Sequence, residues 1–297
     1  MTNSNEHITV LLEEAANALL IKKGEWYVDA TFGRGGHTKK ILEAGGKVIA
    51  FDFDQEAIDF GSKAFVESIT PGNLILVREN FSKISSIISS LKEDGQINQI
   101  NGILFDFGTS TQQLKSEERG FSFDGDGPLD MRMDDRLGVQ AKDLLAIIPA
   151  DQLANLFFEL GGETDGKRIA REIKNSPTPI STSKQLSELI IRVKGRQKNK
   201  LHPATKVFQA LRIAVNTEIE NISIALPQAL DILSKNGRVV TIAFHEGEDR
   251  EVKRTFKLWE EKNIGTNLTR KPITPTDGEI EINQRSRSAK MRIFEKN

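Results

Sequence analysis

Apolar and polar positions follow two rhythms along this chain. Four short, nearly continuous apolar runs lie in its first third: Trp26-Tyr27-Val28, Val48-Ile49-Ala50-Phe51, Leu74-Ile75-Leu76-Val77 and Gly102-Ile103-Leu104-Phe105. Runs of that length, apolar at every position, predict strands buried on both faces. Between them the spacing turns helical. Leu12, Ala15, Ala16 and Leu19 make one stripe, and Ala57, Ile58, Gly61, Ala64 and Phe65 make another behind Asp54, a ready N-cap. Gly45-Gly46 stops the helix that carries Ile41 and Leu42. Apolar strands separated by helices imply a parallel sheet covered on both sides.

From about residue 111 to 203 the strand rhythm is absent. Thr182 and Gln185 form a capping box ahead of Leu186, Leu189, Ile190 and Val193, which are spaced as one helix face. Helices are also predicted over 152–160, ended by Gly161-Gly162, and over 167–174, ended before Pro177. Strand character returns at 238–244, and a last strand over 290–294 is expected to pair antiparallel at the sheet edge. The fold class is therefore α/β: a doubly wound, Rossmann-like sheet built from residues 1–111 and 204–297. An all-helical domain, residues 112–203, is inserted after the fourth strand.

At 297 residues the chain can bury one large core and a smaller companion. It has no cysteine, which excludes disulfides, thiolate metal sites and cysteine nucleophiles. No run approaches the roughly 20 apolar residues of a membrane span, and the first residues lack the cationic and apolar regions of a signal peptide. A reducing cytoplasm is the expected location. The formal net charge is −1, so nucleic-acid binding would have to rest on local patches. One such run is Arg192, Lys194, Arg196, Lys198, Lys200 and Lys206, with no acid among them; a second comprises Arg270, Lys271, Arg285, Arg287, Lys290 and Arg292. Composition alone leaves a phosphate-binding run and a solvated surface equally open.

The segment Asp29-Ala30-Thr31-Phe32-Gly33-Arg34-Gly35-Gly36-His37 carries the candidate chemistry. Glycines between a strand and a helix let a ligand approach the backbone at the strand's carboxyl end. The spacing G-x-G-G fails the G-x-G-x-x-G of a nicotinamide site, which sets a dehydrogenase aside. An acid ahead of the glycines suits a cationic ligand with an amino-acid moiety, and Asp52 at the end of the second strand can accept both hydroxyls of a ribose. A nucleoside cofactor, S-adenosylmethionine foremost, and plain turn glycines both stay open on this pattern. Asp106 adds a third acid ending a third strand, an arrangement that is costly unless the acids meet ligand or solvent.

These residues, and others along the chain, resemble the bacterial 16S rRNA cytosine-N4 methyltransferase family. The resemblance runs through Asp106-Phe107-Gly108-Thr109-Ser110-Thr111-Gln112-Gln113-Leu114 and Arg119-Gly120-Phe121-Ser122-Phe123. It continues through Asp126-Gly127-Pro128-Leu129-Asp130-Met131-Arg132-Met133-Asp134, His202-Pro203-Ala204-Thr205 and Phe208-Gln209-Ala210-Leu211-Arg212-Ile213-Ala214-Val215-Asn216. Phe244-His245, Glu248-Asp249-Arg250 and Arg285-Ser286-Arg287-Ser288-Ala289-Lys290-Met291-Arg292 close it. It implies a class I methyltransferase domain with an inserted helical domain for RNA recognition, S-adenosylmethionine as cofactor, and N4 of a decoding-region cytidine as target. The implied partner is 16S rRNA in the small subunit or its precursor; a homodimer stays open. By matching position, Gly35, Gly36 and His37 contact the cofactor beside Asp29 and Gly33, Asp52 holds the ribose, Phe81 flanks the adenine, and Asp106 and Gln113 complete the pocket. The chain departs from the family where Gly-Val-Ser-Ser-Pro becomes Gly108-Thr109-Ser110-Thr111-Gln112 and where Ser-Leu becomes Glu246-Gly247. An acid at Glu246 is expected to hinder RNA approach.

Cytosine N4 is a poor nucleophile because its lone pair is delocalised, so catalysis must align it and accept a hydrogen from it. Asp106, or carbonyls of its loop, is the expected acceptor, and Ser110 the group that positions the base. Phe107, Phe121, Phe123 and Phe244 are candidate stacking partners, although for any one of them core packing is the favoured role because Phe is usually buried. His245 follows a strand and is either a base contact or a structural imidazole; His202 is expected to be structural or to meet a phosphate. Arg192, Lys194, Arg196, Lys198 and Lys200 are expected to grip phosphates. The acids Asp124, Asp126, Asp130, Asp134 and Asp135 do not make an EF-hand loop, because Pro128 stands at its fifth position; they are expected to hold Arg119, Arg132 and Arg136, and no protein-bound metal is expected. The rival reading is an RNA-binding protein of this fold without turnover. Methyl transfer to DNA or protein is disfavoured by the resemblance alone.

Overall fold

The computed structural model describes residues 8–108, 119–123, 125–195 and 202–297. Contacts divide the chain into two units, one comprising residues 1–108 and 219–297, the other residues 109–218. Helices α1 (Leu12–Leu19), α2 (Gly36–Glu43), α3 (Gln55–Ala64), α4 (Val66–Ile69) and α5 (Ile84–Glu93) precede the second unit. Helices α6 (Ala141–Ile147), α7 (Ala150–Gly161), α8 (Gly166–Lys174), α9 (Ser183–Lys194) and α10 (Thr205–Val215) belong to it, and α11 (Glu218–Ile232), α12 (Glu246–Glu261) and α13 (Asp277–Ile282) follow.

The first unit is organised by a seven-stranded sheet of β1 (Trp26–Asp29), β2 (Lys47–Asp52), β3 (Leu74–Arg78), β4 (Ile100–Asp106), β5 (Leu233–Ala243), β6 (Gly265–Asn267) and β7 (Lys290–Lys296). Their order is β3-β2-β1-β4-β5-β7-β6. The first five are parallel, while β7 runs antiparallel to both β5 and β6. Alternate residues of a strand face opposite sides, and here both sides are apolar. Val28, Ile49, Phe51, Ile103, Phe105 and Val239 pack with Ile84 and Ile88 of α5, Ile222 and Leu226 of α11, and Val252 and Phe256 of α12. Tyr27, Val48, Ala50, Leu104, Val240 and Ile242 pack with Ala15 and Leu19 of α1, Ile41 of α2 and Ala57 of α3. Each large side chain so buried contributes about 1.5–3 kcal/mol, which explains why the central strands read as unbroken apolar runs. The doubly wound sheet is as expected. The last strand is not: β7 lies inside the sheet, and the edge is taken by β6, whose Gly-Thr-Asn sequence offers no apolar run to read.

In the second unit, helices bury stripes spaced by three and four residues. These are Leu153, Ala154 and Phe157 on α7, Ile169, Ala170 and Ile173 on α8, and Leu186, Leu189 and Ile190 on α9. The Thr182–Gln185 capping box starts α9 as the sequence suggests. The unit extends past the boundary expected at residue 203, for two physical reasons. Gly161 at the end of α7 comes so close to α10 that a side chain there would strike the carbonyl of Lys206. Beyond α10, Asn216 donates to the carbonyl of Met131 and accepts from the amide of Met133, at 2.8 Å each, so the chain is bonded back into this unit before it leaves.

Two of the acids expected to hold arginines do so, while Asp126 accepts from Thr182 Oγ1 and Asp124 lies outside the described residues. Asp130 makes a two-pronged pair with Arg132 at 2.7 and 2.9 Å, and Asp134 pairs with Arg136. Hydrogen bonds from Arg132 offset the burial of Asp130 and hold its carboxyl below the usual range. A second pair is buried: Lys194 Nζ lies 2.6 Å from Glu163 Oε2, with side chains 7% and 1% exposed. Removing one partner of such a pair strands the other charge. Lys194→Ala is therefore expected to destabilise this unit by about 3–5 kcal/mol. Urea unfolding of the full chain followed by far-UV circular dichroism checks this; an unchanged midpoint would contradict it.

Candidate active site

The three acids foreseen at strand ends are brought to one edge of the sheet. Asp29, Asp52 and Asp106 are the last residues of β1, β2 and β4. The reversal of strand order between β1 and β4 opens a crevice at that edge in doubly wound sheets. The turn after β1 supplies the rest. Gly33 and Gly35 adopt φ of +53° and +71°, a left-handed conformation that side chains resist. A side chain on Gly36 would strike Thr9, whereas nothing stands within 4 Å of where a Cβ on Gly33 would be. Gly35 caps α2, and His37 sits in that helix's first turn.

Each acid has a distinct environment. Asp29 is fully buried and accepts from the Thr31 amide at 3.2 Å and from Thr38 Oγ1 at 2.7 Å. Burial raises its pKa above the usual range, opposed by the nearby His37 and by those hydrogen bonds. Both its oxygens organise the turn, so the structure gives Asp29 a supporting position. Asp52 is half-buried and accepts from the amides of Asp54 at 2.9 Å and Gly33 at 2.8 Å. Burial outweighs these bonds and pushes its pKa up to about 7. Asp106 is 20% exposed, with Oδ2 3.6 Å from His37 Nε2. That nitrogen is buried and has no hydrogen-bond partner among the described residues. An orphaned ring nitrogen beside a carboxylate is a place for a ligand atom to complete.

Of the other candidates, some pack in the core of the first unit and some belong to the second. Phe81 is buried, with its ring edge-on to Phe105 and tilted against Phe107, itself stacked on Phe105; the three rings form one aromatic cluster of the core. Phe121 is buried in the second unit, where Phe123 stacks on His202 at 4.2 Å. Phe244 lies against Gly108, 2.7 Å from where a Cβ would stand. His245 is only 11% exposed and caps α12, its Nδ1 accepting from the Gly247 amide at 3.2 Å. This placement gives the imidazole a structural role in the cap. Ser110, Gln113, Arg196, Lys198 and Lys200 lie outside the described residues. Arg192 is exposed, but Lys194 is committed to Glu163 and Lys206 donates to the carbonyl of Gly162. In the second basic cluster, Arg292 is buried against Asp249, and Lys290 pairs with Glu246. Glu246 is thereby paired, while its side chain stays 85% exposed.

Sequence reading missed three residues that fix the site. Thr31 Oγ1 accepts from the Asp106 amide at 2.7 Å, joining the turn after β1 to the end of β4. Thr38 holds Asp29. Glu248, 1% exposed, accepts from the amides of Phe244 and His245 at 2.7 and 3.2 Å. For Glu248 a signal existed: it stands three residues after His245, the spacing of a capping box.

The doubly wound sheet with its antiparallel β7, the glycine turn and the strand-end acids define a class I methyltransferase, whose cofactor is S-adenosylmethionine. A model of the MraW methylase family matches residues 4–297, and the chain belongs to that family. Three relatives carry the name ribosomal RNA small subunit methyltransferase H. The protein from Caldicellulosiruptor saccharolyticus is 43% identical over 98% of this chain and 99% of its own length. That from Desulfotalea psychrophila is 44% identical over 98% of each. That from Coprothermobacter proteolyticus is 38% identical over 100% of this chain and 98% of its own. Among the described residues no helix is long and apolar enough to cross a membrane.

The raised pKa of Asp52 has a signed consequence. The folded, ligand-free chain holds this proton more tightly than the unfolded chain, so the stability it contributes is complete below about pH 4 and is lost as pH rises towards 7. Ribose hydroxyls donate more strongly to the ionised carboxylate, so affinity for S-adenosylmethionine is expected to rise several-fold from pH 6 to 8. Calorimetric titration checks this. Asp52→Asn is expected to flatten the rise; an identical slope in the variant would detach Asp52 from the ribose.

Proposed function

We propose that the chain transfers the methyl group of S-adenosylmethionine to N4 of a cytidine in the decoding region of 16S rRNA, presented by the small subunit or its precursor in the cytoplasm. The observation that carries this reading is His37 Nε2, buried without a hydrogen-bond partner among the described residues and 3.6 Å from Asp106 at the end of β4, in a chain of the MraW methylase family. The relatives' shared name supplies the substrate class.

The residues present suit the cofactor. His37 Nε2 is an unfilled buried donor or acceptor, Gly33 leaves its surroundings open, and Asp52 sits where an acceptor for ribose hydroxyls is needed. When bound, S-adenosylmethionine supplies a methyl group already activated by its sulfonium. The protein's task is then to place and unmask the nucleophile. His37 and the backbone of Gly35 and Gly36 hold the amino-acid end, steadied by Asp29 through the turn. Phe81 presents its cluster to the adenine. Asp106 Oδ1, which takes a long 3.5 Å contact from the Gly108 amide, accepts a hydrogen from N4 and draws its lone pair out of conjugation. The nucleotide must leave its stack, or arrive unpaired, to meet the methyl group. Ser110 and Gln113 complete the base and cofactor contacts, and Arg192 with the cations of 196–200 holds phosphates.

Labelled cofactor offered small subunits, duplex DNA and a protein mixture in competition is expected to label ribosomal RNA. Label in DNA or protein would contradict the reading, and binding without any transfer would favour the RNA-binding alternative. At saturating cofactor, Asp106→Asn is expected to lower turnover by about 100-fold or more; full turnover in that variant would remove Asp106 as acceptor.

A further inference from the structure

The loops that follow β4 and β5 lie side by side, because the two strands are paired in parallel with Asp106 opposite Ile242. The pairing continues one residue further, the Phe107 amide donating to the Ile242 carbonyl at 3.0 Å. Beyond that point no further ladder bond joins the two segments among the described residues. There the ring of Phe244 stands where Gly108 has no side chain, 2.7 Å from the position a Cβ would occupy. The Gly108 amide in turn faces Asp106 Oδ1 at 3.5 Å. The Phe244 ring therefore limits the position of Gly108, whose amide faces Asp106 at the end of β4.

The backbone of Phe244 is held by one side chain. Glu248 Oε2 accepts from the amides of Phe244 and His245, and Glu248 Oε1 lies 3.1 Å from His245 Nε2. The carboxylate is 1% exposed, on the first turn of α12. The neighbouring Asp249 fixes the same turn to β7 through Arg292 at 2.7 Å, so Glu248 acts from an anchored base. An ordinary capping box needs one carboxylate bond to the N-cap amide; here a shorter bond reaches one residue further back, to Phe244.

We propose that Glu248 is a positioning residue for methyl transfer: by fixing Phe244 against Gly108 it sets the placement of Asp106. This rests on the reading of Asp106 given above. Glu248→Ala is expected to lower kcat about 10- to 100-fold, the range that a small misplacement of reacting groups costs, with cofactor Kd within about twofold. Glu248→Gln keeps an oxygen for the two amides and is expected to recover most of the rate. Phe244→Leu, which leaves the cap intact, is expected to share the kcat defect and to be non-additive with Glu248→Ala. Unchanged kcat in a folded Glu248→Ala chain would overturn the proposal, as would equal losses of kcat and cofactor affinity. A readout independent of turnover separates this from failure of the Asp106 reading. In glycine-labelled chain the Phe244 ring should shift the Gly108 signals, and Glu248→Ala should reduce that shift; should the variant not fold, Phe244→Leu must remove the shift and Glu248→Gln preserve it. Gly108 signals indifferent to these substitutions would overturn the link from Glu248 to the loop even in an active enzyme.

Discussion

Placing carboxylates at the ends of three parallel strands is the constraint on which the rest of the catalytic unit depends. An unpaired buried carboxylate would cost several kcal/mol, so the surrounding loops are shaped to serve these three. The turn after β1 bends through left-handed glycines and delivers the Gly33 amide to Asp52. Thr31 and Thr38 bond to Asp29 and, through the Asp106 amide, tie the turn to β4. Among the described residues, His37 Nε2 is a buried atom of the site without a hydrogen-bond partner, and it stands beside Asp106. The capacity to bind a cationic nucleoside follows from that residue of unmet demand.

Charge elsewhere is used internally to a degree that composition conceals. A net charge of −1 hides pairs that hold each unit separately: Glu163 with Lys194 and Asp130 with Arg132 in one, Asp249 with Arg292 and Glu246 with Lys290 in the other. Lys194 is thereby withdrawn from the proposed phosphate contacts, while Arg192 of the same run is exposed. The acids of helix α12 show a related economy. Glu246, Glu248 and Asp249 all occupy its first turn, where the helix dipole favours them; Glu248 serves the backbone of Phe244 and His245, while Glu246 and Asp249 reach β7 through Lys290 and Arg292.

The core of the sheet was legible because two-sided burial leaves an unbroken apolar run, and the helices of the inserted unit because their stripes repeat every three to four residues. Strand β6 was not, being three residues of Gly, Thr and Asn held by its neighbour rather than by its own pattern. For the same reason β7 was misplaced at the edge. The boundary at 203 failed because Pro203 looks like a break, whereas tertiary bonds from Asn216 to Met131 and Met133 carry the unit onward. Within the site, the acids stood out since they end apolar strands. Thr31, Thr38 and the second bond of Glu248 did not, because side chains that serve the backbone of another element have no signature in their own. Runs of like charge misled in the opposite direction: Lys194 reads as a phosphate contact until its partner, thirty-one residues earlier, is seen.

The account stands most directly on where the methyl group lands. Small subunits from cells lacking this chain, treated with it and methyl-labelled S-adenosylmethionine, are digested to nucleosides and separated. The account predicts label in N4-methylated cytidine. Label in 5-methylcytidine or in any other nucleoside would contradict the role given to the crevice at the end of β4.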